Sequence, residues 1–585
     1  MKSEIKKDII LCFILVAVSF FVVTNLAGGQ TSGFRWRYVI INVILNLSIV
    51  MGRKSFRSQQ IYWGAFGIIE ILLFSLLFLK GTLSANINWL ELLHTVNFSI
   101  CLGGLAVLLP NLVPNKLLRT FMATILWGTI FSLVGLFWFY YLSENAWLGY
   151  EAILAIMQTN FNEGSSYIQT HLCLSILGLL LVLLCVFFAI CREVYHKGGI
   201  LFSSKLNLIL LTSTFVILLS GLQVDNTFGN NYFTEPFYNA YKGQEEYNKF
   251  RATRAARDIM LKQSSISSDD TEGLYVLVIG ESQTRAHMSA YGYPKYTTPW
   301  LDKMSHENNV ILFTNAYSNH THTIQVLEYA LTEKNQYNDL NTEQASSLID
   351  VAKAAGYNVI WLSNQIKYGL YDTPTSVIAD AASEQFFTSD SIENTYNYDD
   401  ALLKKLNSFD LSGKTLLIVH LMDCHSDYKD RYPSQMKKFE GDNIIDQYDN
   451  AVYYNDNFMN GLYENVMNQP NFKGLVFFSD HGEDVEDNLG HNCGNFRPVM
   501  AKIPLYMIFS PSYMQNYSDR YTQLLQEKNS MFTNDLIYNT MLGMMGIHYE
   551  GHEEPWNDLS SGKYDRNEER FYTLHGYTKI STMED

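Results

Sequence analysis

Seven apolar runs crowd into the first 221 residues of this 585-residue chain, while most of its acids lie after them. Runs of this kind can satisfy their backbone polar groups without water only as helices, either across a membrane or inside a large core. They fall at about 8–27, 38–51, 61–79, 96–113, 121–142, 171–190 and 206–221. The second and last are short for a hydrocarbon core of about 30 Å, so each is either re-entrant or longer than its apolar run. Lysine and arginine separate membrane from core. Lys2, Lys6 and Lys7, then Arg53, Lys54 and Arg57, then Lys116 and Arg119, then Arg192, Lys197 and Lys205 fall on one side of alternating spans, against Arg35, Arg37 and Lys80 on the other. This alternation obeys the positive-inside rule, keeps the amino end inside and sends the chain outside after Gly221. The expectation is a multi-pass membrane protein whose remainder lies outside, which in a Gram-negative cell is the periplasm. No small-residue cleavage site follows the 8–27 run, which therefore reads as an uncleaved span.

Between the fifth and sixth spans, 147–170 interleaves Leu154, Ile156, Met157 and Phe161 with polar residues. It reads as an interfacial helix or loop at headgroup level, or as a solvated connection. The linker 222–271 carries Tyr232, Phe233, Phe237, Tyr238, Tyr241 and Tyr247, and tyrosine favours membrane interfaces. Lys249, Arg251, Arg254 and Arg257 continue it as a basic helix expected to lie against anionic lipid.

From 272 to 585 the pattern alternates. Strands are expected at 275–279, 310–313, 358–362, 415–420, 475–478 and 504–509, and helices at 346–355, 398–407, 447–468 and 534–542. That alternation predicts an α/β domain with a mainly parallel sheet covered by helices. The formal charge of −16 belongs mainly to this half, which excludes nucleic acid as a partner because phosphate binding needs a basic face. Cys424 and Cys493 are the two of seven cysteines outside the apolar part, and they either form one bridge or stay reduced.

Two of the expected strands end in groups that bind metals. The run 274–280 stops at Glu281, and the run 474–479 stops at Asp480-His481. Open α/β sheets hold ligands at the carboxyl ends of their strands, and this donor set suits zinc, with manganese close behind. Each acid taken singly is more often a cap or turn residue than a ligand, and the two signals reinforce each other. Thr323 opens an apolar-periodic segment after the polar turn 319–322. It is either an ordinary helix cap or a hydroxyl nucleophile favoured by the helix dipole and a nearby metal. His425 and His491 flank the same expected sheet edge, where they could bind phosphate oxygens or move protons.

These residues together resemble a family. Glu281-Ser-Gln-Thr-Arg285-Ala-His-Met288-Ser289-Ala-Tyr291-Gly292-Tyr293 with Thr297-Thr298-Pro299, Thr323-Ile-Gln-Val-Leu327, His420-Leu-Met-Asp-Cys-His425, Tyr448-Asp449-Asn450-Ala451 and Ser479-Asp480-His481-Gly482-Glu483 with His491-Asn492 are similar to the ordered motifs of bacterial phosphoethanolamine transferases. Those are membrane-anchored members of the alkaline phosphatase and sulfatase superfamily. The resemblance reaches Gln158-Thr159-Asn160-Phe-Asn-Glu163 in the membrane half and is greatest to the branch that modifies lipopolysaccharide core sugar.

The resemblance implies that Glu281, Thr323, Asp480 and His481 hold a catalytic zinc and that Thr323 carries the phosphoethanolamine. It implies phosphate binding or proton transfer for His425 and His491, and headgroup reception for Thr159 and Glu163. Phosphatidylethanolamine would be the donor and lipopolysaccharide or another envelope lipid or glycan the acceptor. Two departures stand out: the lipid A branch usually carries several disulfides in this domain, and Asp423 stands where many members have glycine. A phosphoglycerol transferase of the lipoteichoic acid synthase type and a catalytically silent membrane sensor are the alternatives. A sulfatase is disfavoured, since no Cys or Ser followed by Pro and Arg stands at Thr323.

Overall fold

The computed structural model describes residues 113–144, 146–158, 161–197, 231–367, 374–389 and 397–583, with isolated positions 95, 102, 106, 109 and 110. The chain divides into two compact units. One comprises Met1–Leu154 with Ile168–Lys242, and the other Ala155–Tyr167 with Gly243–Asp585.

In the first unit, helices α1 (Lys116–Glu144) and α4 (Leu174–Lys197) are both long and apolar enough to cross a membrane. At 1.5 Å per residue, the 29 residues of α1 rise about 43 Å, more than a hydrocarbon core requires. These helices correspond to the runs at 121–142 and 171–190. The others expected lie outside the described residues, 96–113 apart from its few isolated positions. α1 begins before its apolar run because the Asn115 side chain accepts the Leu117 and Leu118 amides at 2.9 and 3.2 Å.

The two helices pack antiparallel. Thr124 meets Cys191, Phe131 meets Phe187, and the Arg119 guanidinium donates to the Val194 carbonyl at 3.1 Å. Gly128 and Gly135 line the seam, where an added Cβ at Gly135 would sit 3.6 Å from Leu183, the small-residue contact that lets membrane helices approach closely. This arrangement brings Lys116 and Arg119 to the same end as Arg192 and Lys197, as the charge alternation requires. Leu174 and Phe188 are 87% and 65% exposed, which suits contact with lipid rather than water. The segment 147–170 forms two helices, α2 (Tyr150–Gln158) and α3 (Phe161–His171).

The basic helix expected to lie against lipid needs correction. Helices cover Glu235–Ala252 and Arg254–Gln263, but Arg257 is buried. Its guanidinium lies 3.7 Å from the Phe250 ring centroid and donates to the Phe250 carbonyl at 2.7 Å. Arg254 donates to the Asp380 carbonyl at 2.8 Å, so Lys249 and Arg251 are the two of the four that face outward.

The second unit is built on a seven-stranded sheet. Its strands are β1 (Gly273–Gly280), β2 (Val310–Phe313), β3 (Asn358–Ile366), β4 (Glu384–Ser389), β5 (Lys414–His420), β6 (Phe472–Ser479) and β7 (Leu505–Phe509). They lie in the order β2-β7-β6-β1-β5-β3-β4. β4, β3, β5, β1 and β6 pair in parallel, whereas β7 pairs antiparallel with both β6 and β2. The sheet is therefore mixed at one side. Every expected strand is present, and β4 was not anticipated because its Glu-Gln-Phe-Phe-Thr-Ser is half-buried at an edge and lacks a buried strand's apolar run.

β1 lies at the centre, with all eight residues buried. Tyr275, Leu277 and Ile279 join one core with Val326, Leu327 and Trp361. Leu274, Val276 and Val278 join the other with Tyr448, Met459 and Leu462. Helix α5 (Thr323–Ala330) serves the first face, and α6 (Ile444–Met467) the second. β1 thus needs side chains on both faces, which explains its unbroken apolar run.

At its end, Gly280 makes a close approach. An added Cβ would stand 2.7 Å from both Asp423 Oδ2 and the Phe477 ring. Replacing Gly280 by alanine is expected to cost about 1–3 kcal/mol of stability, read from denaturant unfolding of the detergent-solubilised protein.

Candidate active site

β1 is flanked by β5 and β6, so three parallel strands deliver their carboxyl ends to one place. Glu281 follows β1, Asp480 and His481 follow β6, and His425 lies five residues beyond the end of β5. The chain leaves β1 through Ser282, a non-glycine residue in the left-handed region at φ 57°. That strain is held from three sides. The Tyr448 hydroxyl donates to the Ser282 carbonyl at 2.7 Å, the Ser282 amide donates to Asp480 Oδ1 at 3.0 Å, and the Ser282 hydroxyl donates to Glu281 Oε1 at 3.0 Å.

Thr323 is not the cap of α5. The cap is His322, whose backbone is extended and whose carbonyl accepts the Val326 amide at 3.1 Å. Thr323 is the first helical residue, and its hydroxyl donates to Glu281 Oε2 at 3.1 Å. It stands where the helix presents unpaired N–H groups and the positive end of its dipole. Asn534 fixes the turn before it by accepting the Asn319 amide at 2.8 Å and donating to the Asp480 carbonyl at 2.6 Å.

The donor atoms of Glu281, Asp480 and His481 lie within 4.8 Å of one another, all three residues buried. Asp480 Oδ1 accepts the amides of Ser282 and His481, whereas Oδ2 is buried with no hydrogen-bond partner. His481 Nδ1–H donates to the Gly482 carbonyl at 3.0 Å, which leaves Nε2 as the lone-pair nitrogen. Nε2 is also without an aligned hydrogen bond, 3.4 Å from both Glu281 Oε1 and Asp480 Oδ2. Two orphaned buried atoms, a carboxylate and the Thr323 hydroxyl thus face one another, an oxygen and nitrogen donor set that fits zinc or manganese.

Burial and mutual charge shift all three of these groups. Burial and the neighbouring Glu281 push the Asp480 carboxyl up to about 7. Burial disfavours the His481 imidazolium, but Asp480 and Glu281 outweigh it and push it up to about 10. Burial also opposes the charge on Glu281, yet hydrogen bonding to and the charge of His481 hold it below the usual carboxylate range.

His491 lies beside this cluster, its ring centroid 4.4 Å from that of His481 and 5.5 Å from that of His322. Its Nδ1 bonds Glu483 Oε2 at 2.8 Å, and the Tyr428 hydroxyl donates to Glu483 Oε1 at 2.6 Å. His481, Glu483 and His491 also lie within ligand distance of one another, but with both Glu483 oxygens engaged the carboxylate acts as an orienting group for His491. His425 is half-buried near Glu281, its Nδ1 3.4 Å from the Ser426 hydroxyl.

Thr159 lies outside the described residues. Glu163 is on α3, and Ala155–Tyr167 belongs to the same compact unit as Gly243–Asp585. Cys424 and Cys493 are both thiols, Cys424 donating to Asp423 Oδ1 at 3.2 Å. Asp423 has φ 39°, a left-handed conformation in which glycine is unstrained and aspartate tolerated. Its Oδ2 accepts the Glu281 amide at 3.3 Å.

Residues 274–547 match the sulfatase family. The phosphoethanolamine transferase EptC of Escherichia coli O18:K1:H7 (strain RS218 / NMEC) is 33% identical over 301 residues, 48% of this chain and 52% of the relative. The match therefore spans about half of that relative's length. The C-terminal periplasmic domain of EptC from Escherichia coli, solved in complex with Zn, is similar at 28% identity and a TM-score of 0.50, over 55% of this chain and 96% of that one. The integral membrane lipooligosaccharide phosphoethanolamine transferase A of Neisseria meningitidis shares the fold at 18% identity and a TM-score of 0.54, over 88% of this chain and 98% of that one.

Zinc binding should follow the protonation of His481. With that imidazole pushed up to about 10 and the Asp480 carboxyl to about 7, a cation must displace their protons, so apparent zinc affinity should fall about tenfold per pH unit below about 10 and more steeply below about 7. Calorimetry in buffers of different ionisation enthalpy would register the released proton, and His481→Ala should abolish stoichiometric zinc.

Proposed function

We propose that this chain, whose residues 274–547 match the sulfatase family, is a membrane-anchored phosphoethanolamine transferase working through a covalent Thr323 intermediate. The observation that carries this reading is the Thr323 hydroxyl at a helix N-terminus, 3.1 Å from Glu281 and beside the orphaned Asp480 Oδ2 and His481 Nε2. Relatives with the same named activity support it.

In the first step Thr323 Oγ1 attacks the phosphorus of phosphatidylethanolamine, and the bond from phosphorus to the glycerol oxygen breaks. Diacylglycerol leaves with a proton. In the second, an oxygen of an envelope acceptor, lipopolysaccharide core sugar or lipid A, attacks the same phosphorus and frees Thr323. The Thr323 proton is already directed at Glu281 Oε2. Glu281, Thr323, Asp480 and His481 would hold a divalent cation, which would supply Lewis-acid stabilisation of the charge on the phosphoryl group. His491, with Nδ1–H held by Glu483, presents Nε2 for proton exchange with the leaving and attacking oxygens. His425 adds a donor for the phosphate oxygens. Thr159 and Glu163 receive the headgroup, the Glu163 carboxylate attracting its ammonium. Both substrates then reach the site from a bilayer, consistent with the apolar surfaces of α1 and α4.

Incubating the detergent-solubilised protein with phosphatidylethanolamine and zinc should add one phosphoethanolamine to the Thr323 peptide, detected by mass spectrometry and lost in Thr323→Ala. An adduct formed from phosphatidylglycerol instead would turn the reading to phosphoglycerol transfer, and none from either lipid would overturn it. His491→Ala should lower kcat about 10²–10⁴-fold. Glu483→Gln should keep the ring near its place and cause a smaller loss, with a shifted pH profile.

A further inference from the structure

The carboxyl-terminal part of the chain returns to the turn before Thr323, and the chemistry above does not use it. Strands Tyr572–Thr573 and Thr578–Lys579 pair antiparallel. The connection between them holds Leu574 and His575 in the left-handed region at φ 51° and 49°, a conformation that non-glycine residues keep only where neighbours impose it. The hairpin itself is secured without His575. Phe571 and Ile580 are buried in the core that receives Tyr275 and Leu277. The Ile580 amide donates to the Phe571 carbonyl at 3.0 Å, and the Gln336 side chain donates to the Tyr572 carbonyl at 3.0 Å.

His575 makes three polar contacts, and they bracket Thr323. Its backbone amide donates to the Asn319 carbonyl at 3.0 Å. Its Nε2 lies 3.0 Å from Asn319 Oδ1 and 3.2 Å from the Gln325 carbonyl, one contact before Thr323 in the chain and one after it. A carbonyl can only accept, so Nε2 carries the hydrogen. Burial pushes the imidazolium down to about 4, which leaves a neutral ring with that single N–H. The ring stacks on Tyr329 of α5 at 4.1 Å between centroids and 6° between planes. Tyr329 is held in turn by Lys334, whose Nζ lies 5.0 Å from its centroid.

Two routes lead from this clamp to the reacting groups. The Asn319 side-chain amide donates to Asn534 Oδ1 at 2.8 Å, and Asn534 donates to the Asp480 carbonyl at 2.6 Å. Ring contacts also run from His575 to His320 at 4.9 Å, from His320 to His322 at 5.6 Å and from His322 to His491 at 5.5 Å.

We infer that His575 is a positioning residue for Thr323, its Nε2–H tying the turn at Asn319 to the helix at Gln325 so that the hydroxyl is presented at a fixed angle. This role rests on the transferase reading, in which Thr323 is the nucleophile. A displacement of about 1 Å at a reacting atom can cost about 10²-fold in rate, so a clamp on both sides of the nucleophile acts on the chemical step.

Three variants of the full-length detergent-solubilised protein test it. His575→Ala removes ring and donor, His575→Phe keeps a ring on Tyr329 without the donor, and His575→Gln keeps an N–H near the Nε2 position without the ring. In single turnovers with phosphatidylethanolamine and zinc, the Ala and Phe variants should form the Thr323 adduct about 10–100-fold more slowly at saturating lipid. The half-saturating lipid concentration and the zinc bound per chain should not change, and Gln should restore the rate to within about threefold of wild type. Hydrogen exchange without lipid should show faster exchange across 319–326 in Ala and Phe but not in Gln. Wild-type rates in Ala and Phe, or a loss in Gln as large as in Ala, would overturn the assignment. If wild type itself forms no adduct the transferase reading fails, whereas the exchange measurement still decides the clamp, and unchanged exchange in Ala and Phe would overturn it.

Discussion

Two carboxylates placed where water cannot reach them govern the end of the sheet. Glu281 and Asp480 follow adjacent parallel strands and are both buried, so neither can hold its charge without compensation nearby. The surroundings supply it in several forms. The Ser282 and His481 amides point at one oxygen of Asp480, the Thr323 and Ser282 hydroxyls point at Glu281, and the His481 imidazole faces both. What is left uncompensated, Asp480 Oδ2 and His481 Nε2, lies where a cation fits. The left-handed turn at Ser282 belongs to the same requirement, because it aims the backbone amide and the hydroxyl at different carboxylates.

Around that buried cluster lies a second layer of groups that remain accessible. His491 is half-buried and held at Nδ1 by Glu483, which is itself held by Tyr428. The division separates charge stabilisation, which benefits from exclusion of water, from proton exchange, which needs contact with reactants. Asp423 supports the buried layer. It adopts the backbone conformation natural to glycine and in return gives the Glu281 amide an acceptor.

Much of this was legible in the residues. Strands buried on both faces leave continuous apolar runs, and the acids that end them stand out, so Glu281, Asp480 and His481 could be named together. Thr323 could not be told from a cap by sequence, because both roles put a hydroxyl between a polar turn and an apolar helix; the extended backbone of His322 separates them. Glu483 stood in a recognisable motif, but its grip on His491 is a tertiary contact without a fixed spacing. β4 stayed hidden because an edge strand buries too little to need an apolar pattern. Arg257 misled for the opposite reason. Its charge suggests lipid or water, yet the Phe250 ring and three acceptors, among them the Glu343 carbonyl, enclose it.

The assignment of alternate β1 residues to two separate cores makes the strand intolerant of changes in length. Deleting one residue between Leu274 and Ile279 would move every following residue of the strand to the opposite face, so each core would receive side chains shaped for the other. It would also turn Glu281 toward the opposite face of the sheet. Length variation in this domain should therefore collect in the connections between elements and be absent from the strand that ends at the candidate metal ligand.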